Sequence, residues 1–200
     1  MVKENSLLIR ETRDILSGHW GLAVGVFFIY IVIISALNKT HESGSLLWLL
    51  LAGPFSLGVS IFSLSLARCQ EASVGQLFQG FNHFGTAFFV NIVLIAIIGV
   101  GFILLVIPGV IFALSYSLTY FILVDHPDLR PMEAIRKSRF MMNGYKVKLF
   151  NLWLRFFGLA LLCVLTAGIG FLWLIPFAHV CMARFYEDIK NNTQPLVTEL

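Results

Sequence analysis

Residues 84–124 read FGTAFFVNIVLIAIIGVGFILLVIPGVIFALSYSLTYFILV, 41 positions without one Asp, Glu, Lys or Arg. A single helix of that length would measure about 60 Å, twice the hydrocarbon core of a bilayer. The run must therefore double back and form two membrane spans. Working outward from it, four more apolar stretches of near-spanning length lie at 20–37, 46–67, 147–165 and 169–185. Placed with spans at 84–98 and 102–124, they give an all-α membrane protein of six transmembrane helices, one integral-membrane domain over 1–200.

Composition points the same way. Apolar residues make up 58% of the chain and charged ones 12%, with a mean hydropathy of +0.85. A soluble domain carries about 25% charged residues because its surface faces water. The first apolar run is too long for the core of a cleavable signal, and no small-residue cleavage site follows it, so it reads as the first span. The net charge of +3 comes with no block of interleaved basic and aromatic residues, so nucleic acid is not an expected partner. Cys69, Cys163 and Cys181 lack metal-ligand spacing and read as structural.

Glycine and proline suggest internal repetition. Gly99-Val100-Gly101-Phe102 precedes Ile107-Pro108, and Gly168-Ile169-Gly170-Phe171 precedes Ile175-Pro176. Both hairpin turns are expected at these Gly-x-Gly steps, with Pro108-Gly109 as the alternative for the first. Ser17-Gly18, Gln79-Gly80 and Asn143-Gly144 precede the odd-numbered spans, and Pro54, Pro108 and Pro176 lie near the second turn of the even-numbered ones. The pattern predicts three degenerate helix-hairpin repeats with Pro-kinked even spans.

All 14 basic residues except Lys39 and Arg155 fall on one face of this topology. The positive-inside rule makes that face cytoplasmic, with both termini on it, in the cell membrane.

Few residues offer chemistry. Arg155 lies about eight residues into the fifth span, where a charge costs about 2.5–3.5 kcal/mol. It either snorkels to the headgroups or is buried against an acid, for which Asp125 is the nearest candidate by depth. His179 follows Pro176 by three residues. Its imidazole either satisfies a carbonyl freed by the proline or handles a proton or ligand. Asn91 is placed to hydrogen-bond across helices, and Ser115, Tyr116, Ser117, Thr119 and Tyr120 read as facing the bundle. Asn91, Arg155, His179 and Asp125 are thus the candidate intramembrane polar site.

Segment 131–142 predicts an amphipathic surface helix. Met132, Ile135, Arg139 and Met142 recur at helical spacing, while Arg136 and Lys137 point elsewhere. Arg130, Arg136, Lys137 and Arg139 form a candidate surface for lipid or a partner; positive charge that merely fixes topology is the alternative. No GxxxxGK[ST], HExxH or GxSxG motif occurs, so neither an enzyme nor a cofactor or metal site is expected.

The succession SGHWGLAVGVFFIY, AGPFSLG, LFQGFNHFG, IPGVIFALSYSLTYFILVDHPDL, MEAIRKSRFMMNGYKVKLF, GFLWLIPF and ARFYEDI resembles a bacterial integral-membrane family, domain of unknown function nine-seven-five. The likeness runs from about Leu8 to Lys190. It is distantly similar to the membrane domain attached to some glycerophosphodiester phosphodiesterases. Members often carry a basic residue soon after the IPG step, where this chain has Phe112. The resemblance implies a six-span bundle and transfers no catalytic residue. The reading that results is a non-enzymatic accessory or scaffold protein whose partners are membrane lipids, another membrane protein or a second copy of itself. A small-solute transporter or channel is the alternative, and the arrangement of Asn91, Arg155 and His179 discriminates: one wet cavity, or scattered packing faces.

Overall fold

A computed structural model describes residues 3–38 and 43–197, and every regular element among them is helical. In chain order they are α1 (Asn5–Ser17), α2 (Trp20–Asn38), α3 (Ser43–Ala67), α4 (Gln76–Gln79), a 3-10 turn at Gly80–His83, α5 (Phe84–Leu104), α6 (Val106–Tyr116), α7 (Thr119–Asp125), α8 (Pro131–Met141), α9 (Lys146–Leu165) and α10 (Phe171–Val197). Lys39, expected off the cytoplasmic face, lies outside the described residues.

By length and composition, four helical stretches are able to cross a membrane: Trp48–Ala67, Gln76–Leu104, Val106–Asp125 and Lys146–Leu165. The pair Asn5–Ser17 and Trp20–Ser35, bent by 96°, adds a fifth. Segment 169–185 does not qualify. α10 carries Arg184, Glu187, Asp188 and Lys190, so its uncharged part, 171–183, measures only about 20 Å. The third expected span is also longer than 84–98, because helix continues through Gly99 and Gly101 to Leu104.

The chain reverses at Leu105, an extended residue with φ −167° and ψ 150°, rather than at Gly99–Gly101 or Pro108-Gly109. Gly101 serves packing instead: a Cβ there would meet Gly109 and Phe112. Pro108 falls in the first turn of α6, where the missing N–H has no partner to lose. Between α9 and α10 the turn does lie at the Gly-x-Gly step, with Gly168 at φ +86°.

The break in the 102–124 span sits at Ser117–Leu118, between α6 and α7. Its hydroxyl-rich sequence offsets the lost ladder. Ser115 Oγ donates to the Ile111 carbonyl, Ser117 Oγ to Leu114 and Thr119 Oγ1 to Tyr116, at 2.6, 2.9 and 2.8 Å. The Ser115 carbonyl accepts from Ser138 Oγ of α8 at 3.0 Å, which satisfies an acceptor that a helix end leaves open.

The core is off-centre. α10 is its axis: Val180, Cys181, Ala183, Phe185, Tyr186 and Ile189 are fully or almost fully buried. Phe62, Leu64 and Leu66 of α3 and Leu118 and Ile122 around α7 pack at the same charged end. At the opposite end the side chains splay outward, with Ile103 86%, Ile107 73% and Leu165 82% exposed. Surface of that kind needs hydrocarbon rather than water around it.

α3 and the segment leading into α5 approach to backbone contact. A Cβ on Gly58 would strike the Leu77 backbone, and one on Gly80 the Pro54 carbonyl. Small residues bring helices this close where apolar burial gives little drive for helix association.

Candidate functional site

The expected intramembrane polar site does not assemble. Asn91 on α5 is buried; its Nδ2 donates to the Leu49 carbonyl of α3 at 3.3 Å, and Tyr120 of α7 donates its hydroxyl to Asn91 Oδ1 at 3.1 Å. Three helices are tied there. His179 packs its ring against Phe27 with centroids 5.1 Å apart, and makes no hydrogen bond to a carbonyl among the described residues. Arg155 is exposed, on a groove shared with Lys3, Glu4, Asn5, Ser6, Lys148 and Asn151. That groove opens toward the charged end, the direction in which a long cationic side chain snorkels.

Asp125 is not the partner of Arg155. Its side chain is 6% exposed and fully engaged. Arg68 from the end of α3 donates to Oδ1 at 2.7 Å, while Tyr186 and Lys190 from α10 donate to Oδ2 at 2.7 and 2.6 Å. Arg68 also grips Glu187 Oε1 through Nε and Nη2, at 2.8 and 2.6 Å. Burial disfavours the Arg68 charge, but its bonds to Asp125 and then Glu187 outweigh this and hold the guanidinium above its ordinary value.

Two further clusters brace the same end. Glu11 of α1 pairs with Lys3 and with Arg184 of α10, and Arg184 also donates to the Ala67 carbonyl at 3.1 Å. Asp188 accepts from Lys148 Nζ and from the Lys3 backbone N–H, both at 3.0 Å. Burial raises the Glu11 carboxyl, but bonds from Lys3 and Arg184 more than reverse this and leave it below the ordinary range. Pairs of this type, drawn from α1, α9 and α10, fasten those helices together. Among the described residues, no group of three or more His, Cys, Asp or Glu could hold a metal ion.

The surface helix α8 begins with Pro131 at its first turn, and the Arg130 N–H donates to Glu133 Oε2 at 3.3 Å. Its buried stripe is Ala134, Ile135, Ser138 and Met141, a register shifted from the expected Met132, Ile135, Arg139 and Met142. Met132 and Arg139 are exposed, whereas Met142 is buried just beyond the helix. The four expected basic residues therefore part company. Lys137 is exposed, and its ammonium lies below the ordinary lysine value, lowered by burial and by Lys190 and raised by Asp125. Burial and then Lys137 also push the His126 imidazole down. Arg130 stands at the start of the helix. Arg136 and Arg139 instead line one cavity with Phe140, Asn143 and Lys146. Lys146 was not expected there; it stands seven residues beyond Arg139, two helical turns on, but across a turn that sequence spacing does not resolve.

The family described as Protein of unknown function (DUF975) matches residues 89–193. The chain belongs to this family. Within the matched DUF975 region lie α6 to α9, most of α5 and α10 through Thr193, including Asn91, Asp125, Arg136, Arg139, Lys146, Arg155, His179 and Glu187. Arg68 and Glu11 lie before it, so the ion-pair networks join DUF975 helices to α1 and α3. No curated protein and no solved structure matches the chain.

Proposed function

We propose that this DUF975 protein crosses the cell membrane six times, with its charged end in the cytoplasm. There it acts as a non-enzymatic accessory protein that binds lipid or a membrane partner through the exposed face of α8. The observation that carries the reading is a contrast among cations. Lys3, Arg68, Lys148, Arg184 and Lys190 are each held in an ion pair. Arg136, Arg139 and Lys146 have no such pair among the described residues, and they stand together on one cavity. Cations left unpaired on a shared surface are suited to an external anion.

The transporter alternative is less well supported. Asn91, His179 and Arg155 occupy three separate surroundings, two on packing faces and one outward, rather than lining one wet path. Six spans require α2 and α10 to count as crossings; the right-angle turn from α1 into α2 and the exposed apolar end of the bundle favour this. A degenerate repeat is supported by the surface helices. Leu8, Thr12 and Leu16 on α1 match Ala134, Ser138 and Met142 at a constant offset of 126 residues, as do Gly18 and Gly144, and all six side chains are buried.

Two experiments test these statements. Cys69 is exposed at the charged end, while Cys181 is buried. On a Cys163→Ser background, because Cys163 is half-buried near the opposite end, a membrane-impermeant maleimide is expected to label Cys69 in inside-out vesicles and not in intact cells; labelling from outside reverses the orientation. Native mass spectrometry of gently extracted protein is expected to show a stoichiometric lipid or protein companion. A companion-free species overturns the accessory reading.

A further inference from the structure

The cavity walled by Arg136, Arg139, Phe140, Asn143 and Lys146 has a volume of about 350 Å³. Lys146 also stands at the head of a second cavity of about 420 Å³ between α6 and α9. Its lining is otherwise apolar: Val106, Ile107, Val110, Ile111 and Leu114 on one side, Val147 and Phe150 on the other. The two spaces differ sharply in character and share one residue.

The α6 residues recur at helical spacing along one face, and from Val106 to Leu114 that face rises about 12 Å. Three cations without an acidic residue in either wall repel one another, a cost that a bound anion removes. Lys146 opens α9, and the positive end of a 20-residue helix adds to the same field. Phe140, 64% exposed beside the cations, adds an apolar surface to the same wall.

A polar, cationic head joined to a narrow apolar trough has the form of a phospholipid. We propose that this junction of α6, α8 and α9 is a binding site for an anionic phospholipid. The phosphate sits among Arg136, Arg139 and Lys146, and an acyl chain lies in the trough between α6 and α9. The proposal rests on the lipid-binding reading above and names its ligand class and its residues. A soluble phosphate fits it less well, because it leaves the apolar trough unused. An acidic protein segment fits less well for the same reason.

The test uses full-length protein in nanodiscs of three parts phosphatidylcholine to one part phosphatidylglycerol, with retained lipid counted by native mass spectrometry after release. Wild type is expected to retain phosphatidylglycerol selectively. The double variant Arg136→Gln/Arg139→Gln, and separately Lys146→Gln, are expected to lose selectivity by about fivefold per cation removed. The double variant Arg10→Gln/Arg13→Gln changes equal charge on exposed positions of α1 and is expected to keep wild-type selectivity. Leu114→Trp, which fills the trough, is expected to lower retention without removing charge. Thermal melting of each variant separates loss of the site from loss of the fold.

Equal selectivity in wild type and the Arg136/Arg139 variant overturns the site while leaving the accessory reading intact. Full competition by soluble glycerol phosphate also overturns it, in favour of a phosphate site. Absence of any lipid or protein companion on wild type overturns both.

Discussion

Arg68, one residue past α3, donates to Asp125 at the end of α7 over 2.7 Å, and the same guanidinium holds Glu187 of α10 at 2.6 Å. One side chain thus joins three helices that are 57 and 119 residues apart in the chain. Planar, forked donors suit such a junction, and a lysine offers no equivalent geometry.

Removing that junction has a clear expected cost. Arg68→Ala leaves Asp125 with Tyr186 and Lys190 but strips Glu187 of its ion-pair partner, and should destabilise the protein by about 2–4 kcal/mol. Arg68→Lys should recover only part of the loss. Thermal unfolding in detergent checks both; a change under about 0.5 kcal/mol for Arg68→Ala would show that the pair is idle.

The Glu11 pair predicts acid sensitivity. Its folded-state carboxyl lies below the ordinary glutamate value of 4.5, so the unfolded chain binds the proton more readily. The stabilisation is complete above that value and drains away as pH falls below it. Because Glu11 is partly exposed, the effect should stay within about 1 kcal/mol. Melting curves of wild type and Glu11→Gln should differ at neutral pH and converge in acid. A gap that widens in acid contradicts the assignment.

Close backbone approach predicts intolerance at Gly58. A Cβ there meets the backbone of Leu77, which has no flexible end to move aside. Gly58→Val should cost at least about 3 kcal/mol and reduce the yield of monodisperse protein. Gly21, whose Cβ would meet nothing within 4 Å, is the control: Gly21→Ala should be close to neutral.

Two helix ends should improve on substitution to glycine. At the end of α9 the Gly168 N–H bonds to the Cys163 carbonyl and the Ala167 N–H to Val164; at the end of α3 the Gln70 N–H bonds to Ser65 and the Cys69 N–H to Leu66. Both are Schellman closures, yet the left-handed position is held by Ala167 at φ +52° and Cys69 at φ +54°. Ala167→Gly and Cys69→Gly should each stabilise by about 0.5–1.5 kcal/mol. A lower melting temperature for both would contradict the strain argument.

Much of the helical order was legible in the sequence because hydropathy and the absence of charge mark long apolar helices directly. The finer points followed other physics. Gly99 and Gly101 read as a turn, but glycine also lets helices touch, and at Gly101 that use prevails. The apolar run of 169–185 marks the helix but not its end, because α10 continues through four charged residues from Arg184 onward that lie among ion-pair partners. Depth alone pairs Asp125 with Arg155, and linear spacing holds no trace of Arg68 or Lys190 beside it. Helical spacing puts Arg139 in the apolar stripe of α8, whereas Ser138, small and able to donate to the Ser115 carbonyl, holds that place. Lys146 joined Arg136 and Arg139 only through the fold.

α10 is both the axis of the core and the last helix of this sequence to leave the ribosome. The helices before it are synthesised while their central support is still missing. Through that interval Arg68, Asp125 and Glu11 lack the α10 side chains that pair with them in the folded protein. The core is therefore closed by an element made after the helices that it holds together.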